Sequence, residues 1–379
     1  LALSLKEKGH KVINMGSGEL SFRPALPVRR EACRVINKGE TLYTQVAGLN
    51  ELRQLLSNKL KKDLDVDYKS DEIIVSNGGK QVIYNALQST INRGDEVIIV
   101  SPYWVSYPEI IKLCGGKPKV LHSKRKEGFS IDVKKLEKLI TSKTKWLILN
   151  SPNNPTGAVY SFETLNNLTE LLRKYPEIWV LSDDIYEKLN FSSKKSINII
   201  NLDKSLKERS LIVNGFSKGY CMTGWRLGYG AGPKLLIEAM KKIQSQSTSA
   251  PNTIAQNAAI EALRLDNNYF EEIKASLIKR RDVVTSAFSD FKSFNSSFSQ
   301  GAFYIFPSIR RFLGKRLNGR DIIVDDTSFC LHLLSSEYVA AVPGSSFGSK
   351  DSIRISYALS EKDLRIGCKR IKRFCKKLV

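Results

Sequence analysis

Lys218 is the residue whose neighbours most plainly point to chemistry. It lies in Gly215-Phe216-Ser217-Lys218-Gly219-Tyr220-Cys221-Met222-Thr223-Gly224-Trp225-Arg226-Leu227-Gly228. Leu211-Ile212-Val213 leads into this stretch as an apolar run, which predicts a buried strand end. The surrounding glycines leave the backbone free to turn and to approach a ligand. Ser217, Thr223 and Arg226 add two hydroxyls and a guanidinium. One amine nucleophile thus sits beside anion-binding groups, and its simplest chemistry is a Schiff base to a phosphorylated cofactor. With 60 Lys plus Arg in 379 residues, a single lysine is more ordinarily a solvated surface position, so other residues must decide.

Asp183 ends the apolar run Ile178-Trp179-Val180-Leu181 and precedes Tyr186 by three positions. A poorly solvated carboxylate there needs a cationic partner. A protonated pyridine nitrogen would serve; a helix N-cap at Asp183 or Asp184 is the simpler alternative. Asn150-Ser151-Pro152-Asn153-Asn154-Pro155-Thr156-Gly157 is a strand end and a proline-punctuated turn whose adjacent amides, Asn153 and Asn154, can donate to a ligand oxygen. Gly78-Gly79-Lys80 opens a helix, whose first N–H groups suit a phosphate. Ser217 and Arg226 can donate to the same phosphate. Each feature is weak alone. Together they supply a lysine, a carboxylate for a ring nitrogen, an amide and a phenol for a ring hydroxyl, and a phosphate cradle, which are the needs of pyridoxal phosphate.

The elements that must position these groups follow from periodicity. Residues 72–75, 96–100, 145–150, 178–181, 211–213 and 227–231 read as apolar strands. Between them lie amphipathic helices, one bearing Ile83, Leu87 and Ile91, another capped by Ser161 and bearing Leu165, Leu168 and Leu172. The fold class is therefore α/β, a mostly parallel sheet sandwiched by helices, plus a smaller α+β domain. Ligands of such sheets collect at the carboxyl ends of the strands. That rule gathers Gly79, Lys80, Trp104, Asn154, Asp183, Ser217 and Lys218. Residues 1–30 read as loop, joining the small domain. Residues 31–275 are expected to form the large cofactor-binding domain, with further helices over 28–38 and 49–60. Residues 276–379 are expected to form the small domain, entered by a long helix over 269–291. Its strands are expected at 301–306, 338–342 and 353–356. A final helix carries Leu364, Cys368, Ile371, Cys375 and Leu378 on one face.

The net charge of +22 is spread along the chain rather than gathered on one arm, so a solvated basic surface is expected and anionic small substrates would suit it. Six cysteines without a C-x-x-C pair predict a reduced, cytoplasmic setting. No apolar run is long enough to span a bilayer. Leu1 to Lys6 is too short and too soon charged to be expected to act as a signal peptide. Three histidines supply metal sites and histidine triads poorly, and no metal is expected. Gly344-Ser345-Ser346-Phe347-Gly348 matches a nucleophile elbow, but a strand follows it and the last histidine is His332, so that reading fails. Gly228-Tyr229-Gly230-Ala231-Gly232 hints at a dinucleotide turn, but Pro233 stands where a further glycine is needed.

From about residue 10 to its end, the chain resembles the class I aminotransferases of PLP fold type I, and within them the bacterial aspartate aminotransferases of subgroup Ib. The resemblance rests on residues 76–81, 101–108, 150–157, 183–187, 217–228, 246–249 and 354–357, in that order. It implies that Lys218 is joined to pyridoxal 5'-phosphate and that Asp183 pairs with the ring nitrogen. Asn154 and Tyr186 would bind the ring hydroxyl, and Trp104 would stack on the ring. Gly79, Lys80, Ser217 and Arg226 would hold the phosphate, with Tyr43 reaching across from a second subunit. Arg354 would take the substrate α-carboxylate, helped by Asn154 and the backbone of Gly18, and Lys80 a side-chain carboxylate. The implied activity is ping-pong transamination between aspartate and 2-oxoglutarate. It would be carried out by a homodimer with active sites at the subunit interface and without nucleic-acid or membrane partners. Prephenate, aromatic or kynurenine transamination is the alternative. A DNA-binding regulator with an aminotransferase-like domain would need a winged helix for which residues 1–30 have no room. Relatives often read Gly-Glu-Pro-Asp-Phe where this chain has Gly18-Glu19-Leu20-Ser21-Phe22, and Asp-Glu where it has Asp183-Asp184. The first change predicts a less rigid loop over the substrate.

Overall fold

The structure, a computed structural model, describes residues 1–192, 197–289, 291, 294 and 299–379. Its centre is a seven-stranded sheet. In chain order the strands are β1 (Ile73–Ser76), β2 (Glu96–Ser101), β3 (Lys117–His122), β4 (Thr144–Asn150), β5 (Trp179–Asp183), β6 (Ser210–Gly215) and β7 (Gly228–Ala231). Across the sheet the order is β1-β7-β6-β5-β4-β2-β3. Only β7 runs against its neighbours.

Alternation along each strand feeds two cores. Ile73, Val75, Ile98, Val100, Leu147, Leu149, Val180 and Ile212 pack on one face, against α1 (Asn50–Leu64) and the helices Leu26–Lys38 and Thr253–Leu263. Ile74, Val97, Ile99, Trp146, Ile148, Leu181, Leu211 and Val213 pack on the other, against α2 (Gly79–Thr90) and the helices Ser106–Leu113 and Lys234–Ser247. Both faces are covered, as continuous apolar strands require. β3 was not foreseen in the sequence. It reads Lys-Pro-Lys-Val-Leu-His, lies at the sheet edge and is half-exposed, so it carries no apolar run to betray it.

A third core joins the two ends of the chain. Ile13 and Met15 pack with α3 (Asn267–Ala287), the short strand Tyr304–Ile305, the strand Ile353–Ser356 and α4 (Glu361–Lys376). Ile13–Asn14 pairs in parallel with Val339–Ala340, so the segment expected to be loop holds a strand, preceded by the helix Ala2–Glu7. The expected strand over 338–342 divides in two. Val339–Ala340 and Val342–Pro343 belong to different sheets, and the left-handed Tyr338 terminates the helix Asp326–Glu337 just before them. Among the described residues no helix is long and apolar enough to cross a membrane.

Candidate active site

The carboxyl ends of β4, β5 and β6 open into a cavity of about 560 Å³ lined by residues from both ends of the chain. Gly18, Gly79, Lys80, Trp104, Asn154, Asp183, Tyr186, Ser217, Lys218, Arg226 and Arg354 all line it. Tyr43 does not. Its side chain stands 93% exposed on the chain's surface.

The lysine loop is closed on itself by bonds from the Phe216 amide to the Leu227 carbonyl, 3.2 Å, and from the Met222 amide to the Phe216 carbonyl, 3.1 Å. Lys218 Nζ points into the cavity and donates to the Gly18 carbonyl at 2.6 Å. Burial pushes its amine down to about 8; Glu19 opposes this, while Arg354 and Arg226 add to it.

Asp183 is buried at the end of β5. Its Oδ2 accepts from the Tyr107 hydroxyl at 2.5 Å and its Oδ1 from the Ile185 amide at 3.3 Å. Among the described residues no cationic side chain pairs with it. Burial lifts its carboxyl to about 6, against the pull of the Tyr107 hydrogen bond. Asp184 is held by Ser182 and Asn198, 2.7 Å each, and lies outside the cavity lining, so the two adjacent carboxylates have separate tasks. Neither caps a helix: the short helix that follows starts after Tyr186.

Asn150, on β4, organises the turn after it. Its Oδ1 accepts from the Asn154 amide at 2.9 Å while its amide donates to the Asp183 carbonyl at 2.9 Å. Asn154 Oδ1 in turn accepts from Arg354 Nη1 at 3.0 Å. Arg354 Nη2 donates to the carbonyl of Gly16 at 2.8 Å. The Gly16 backbone thus steadies the guanidinium, while the Gly18 carbonyl is taken by Lys218. The Arg354 guanidinium lies 4.5 Å from the Tyr304 ring and 5.0 Å from the Phe347 ring, and its Nε is buried without a hydrogen-bond partner among the described residues. Tyr186 and Tyr304 share a hydroxyl contact at 3.2 Å.

At the other end of the cavity, α2 begins. Gly78 caps it at φ 90°, and a Cβ there would lie 2.6 Å from Arg226 Nη2, so only glycine lets the guanidinium settle over the helix start. A Cβ at Gly228 would overlap the Gly79 amide, which is how β7 lets the helix approach the sheet. The first amides of α2 have no intrahelical acceptor and face an anion-binding end. Lys80 Nζ lies 5.0 Å over the Trp104 ring.

The sequence of the class I and II aminotransferases, as a family pattern, matches residues 10–371. The chain belongs to that family. A probable aspartate/prephenate aminotransferase of Rhizobium leguminosarum bv. phaseoli is 45% identical over 374 residues, covering 99% of this chain and 94% of the relative. The crystal structure of the aspartate aminotransferase from Rhizobium meliloti is similar with a TM-score of 0.96 at 40% identity, covering 100% of this chain and 94% of that one. The Thermus thermophilus aspartate aminotransferase with maleate is similar at 0.91 and 36% identity, covering 98% and 94%. The protein is a pyridoxal phosphate-dependent aminotransferase, and its cavity fits that cofactor. It holds a buried carboxylate lacking a cation, a nucleophilic amine, and a helix start crowned by a guanidinium.

Tyr107 and Tyr304 were not singled out as site residues of this aminotransferase in the sequence. Tyr107 had a usable signal, three positions after Trp104 in the first turn of a helix. Tyr304 had none, because a two-residue strand shows no alternation. Removing the Tyr107 hydroxyl deletes the one side-chain bond that lowers the Asp183 pKa. In Tyr107→Phe the acid limb of the kcat–pH profile should therefore move toward higher pH, by roughly one pH unit for a lost bond to a charged group. An unmoved limb would show that Tyr107 does not tune Asp183.

Proposed function

We propose that this aminotransferase moves the amino group of L-aspartate to 2-oxoglutarate by a ping-pong reaction, with Lys218 as the proton carrier. The observation that supports it best is that Asp183, buried and without a cationic partner among the described residues, faces the same cavity as Lys218 and Arg354. Pyridoxal phosphate, when bound, supplies a pyridine ring that takes up the electron pair left on Cα. Asp183 holds a proton on the ring nitrogen. Lys218 would take the proton from Cα as general base and, as general acid, deliver it to the cofactor carbon rather than back to Cα. Asn154 and Tyr186 orient the ring hydroxyl, and Trp104 covers one ring face. The first amides of α2, those of Gly79 and Lys80 among them, hold the phosphate together with the Ser217 and Arg226 side chains. Arg354, already oriented by Asn154 and the Gly16 carbonyl, takes the α-carboxylate. Borohydride reduction of the loaded enzyme followed by peptide mapping should place the cofactor on Lys218. An adduct on another lysine would sink the assignment.

Lys80 is the group that would choose a dicarboxylic substrate. Its ammonium reaches into the cavity from the start of α2, and a relative of this fold has been solved with maleate. Lys80→Ala should lower kcat/KM for aspartate by roughly 10²-fold, as for a lost charge-assisted pair, and leave a monocarboxylic amino acid nearly unaffected. Equal losses for both would remove the dicarboxylate role. The 45%-identical relative named for aspartate and prephenate favours prephenate as a second acceptor. A panel of kcat/KM values for aspartate, glutamate, prephenate and an aromatic donor separates the readings.

The exposed Tyr43 belongs to the same proposal. The neighbouring Leu42 and Tyr43 are 83% and 93% exposed, apolar side chains suited to contact with a second copy of the chain. In that homodimer Tyr43 reaches the partner's phosphate site. Sedimentation at the mass of one chain would refute it.

A further inference from the structure

Residues 13–22 form a strap across the active site, tied down along its length. The Met15 carbonyl accepts from the Ser356 amide at 2.7 Å, and the Gly16 carbonyl from Arg354 at 2.8 Å. The Gly18 carbonyl accepts from Lys218 at 2.6 Å. Glu19 follows at the cavity wall. Beyond Glu19 the strap needs an anchor on its far side, and α3 provides it. Arg280 Nη1 donates to Ser21 Oγ at 2.8 Å and to the Ala358 carbonyl at 3.1 Å. The guanidinium also lies 4.5 Å from the Phe22 ring. The Ser21 amide donates to the same Ala358 carbonyl at 3.3 Å. One side chain, which does not line the cavity, thus grips the strap by a hydroxyl, a ring and a shared carbonyl.

We infer that Arg280 is a positioning residue for substrate binding, holding the strap seated so that Gly18 and Glu19 wall the cavity beside Lys218. This inference rests on the transamination proposed above. Its physical basis is a local equilibrium. Residues 18–22 form no regular secondary structure, and beside the packing of Leu20 and Phe22 on the third core their seating depends on the few contacts just named. Without Arg280 the seated fraction falls, and the apparent affinity for substrate falls with it. A seated fraction of about one tenth raises KM about tenfold, while saturating substrate re-seats the strap and leaves kcat nearly unchanged. Ser21 offers Arg280 a neutral acceptor, and a carboxylate at that position would make the bond charge-assisted.

The test compares the loaded wild-type enzyme with Arg280→Ala, Arg280→Lys and Ser21→Asp, by amide hydrogen exchange and by steady-state kinetics with aspartate. Arg280→Ala should speed exchange of the amides of residues 16–22 without changing β4 to β6, and raise KM about tenfold with kcat within about twofold. Arg280→Lys, which keeps a donor and the charge, should recover part of both effects. Ser21→Asp should slow strap exchange and leave KM nearly unchanged, because the wild-type strap is already seated. Unchanged strap exchange in Arg280→Ala, or a fall in kcat at constant KM, overturns the inference. The exchange measurement needs no substrate. A wild-type enzyme inactive on aspartate would therefore overturn the substrate reading, whereas unchanged strap exchange overturns this one.

Discussion

Lys218→Ala should lose transamination by roughly 10⁴-fold or more, the upper end of what a positioned acid–base group contributes. The substitution removes the amine proposed both to join the cofactor and to carry the Cα proton. The other cavity lysine, Lys80, lies over the Trp104 ring at the start of α2. The loss should appear in kcat for both half-reactions, because each requires the same proton transfer. The visible band of the loaded enzyme should also change on substitution and no longer respond to borohydride at this peptide. Folding provides the control. Burial lowers the Lys218 pKa from its ordinary value to about 8. A depressed lysine contributes nothing unfavourable above the unfolded value, and its burial costs stability as pH falls through about 8. The cofactor-free Lys218→Ala chain should thus melt no lower than wild type at pH 7. Turnover within tenfold of wild type would end the assignment.

Asp183→Asn should reduce kcat by roughly 10³-fold, the scale of removing one preorganised electrostatic group. The side chain keeps its shape, and its oxygen can still accept from Tyr107. What disappears is the negative charge proposed to face the ring nitrogen. The same substitution should not harm the cofactor-free fold. Asp183 is raised by burial to about 6, so its neutral form is favoured in the folded chain, and stability is lost as pH rises from the ordinary carboxylate range through about 6. Asp183→Asn should accordingly melt at or above wild type at pH 8, with the difference shrinking toward pH 4. Asp183→Glu, which restores charge with a longer reach, should recover only part of kcat. A fully active Asp183→Asn enzyme would separate Asp183 from the reaction.

These expectations differ in where they could be seen. The strand ends carrying Asp183, Asn150 and Lys218 were legible because β4, β5 and β6 are uninterrupted apolar runs, each followed at once by a polar or glycine-rich turn. The α2 start was legible for the same local reason, since Gly78-Gly79-Lys80 follows directly on β1. The short strands near residues 304 and 339–343 were legible only as apolar stretches. A two-residue strand has no period, and its partners are chosen by chain segments far away.

The amino-acid order alone therefore specified the lysine loop, the buried carboxylate, the phosphate-binding turn and the α/β architecture that lines them up. Each of these depends on local patterns of burial and backbone freedom. Tertiary structure decided that Tyr107 holds Asp183 and that the Gly16 carbonyl meets Arg354. It also decided that Arg280 grips the strap at Ser21. Those contacts join residues 76, 338 and 259 positions apart. At such separations the sequence records which groups are available, and only the packing of one core against another sets which of them touch.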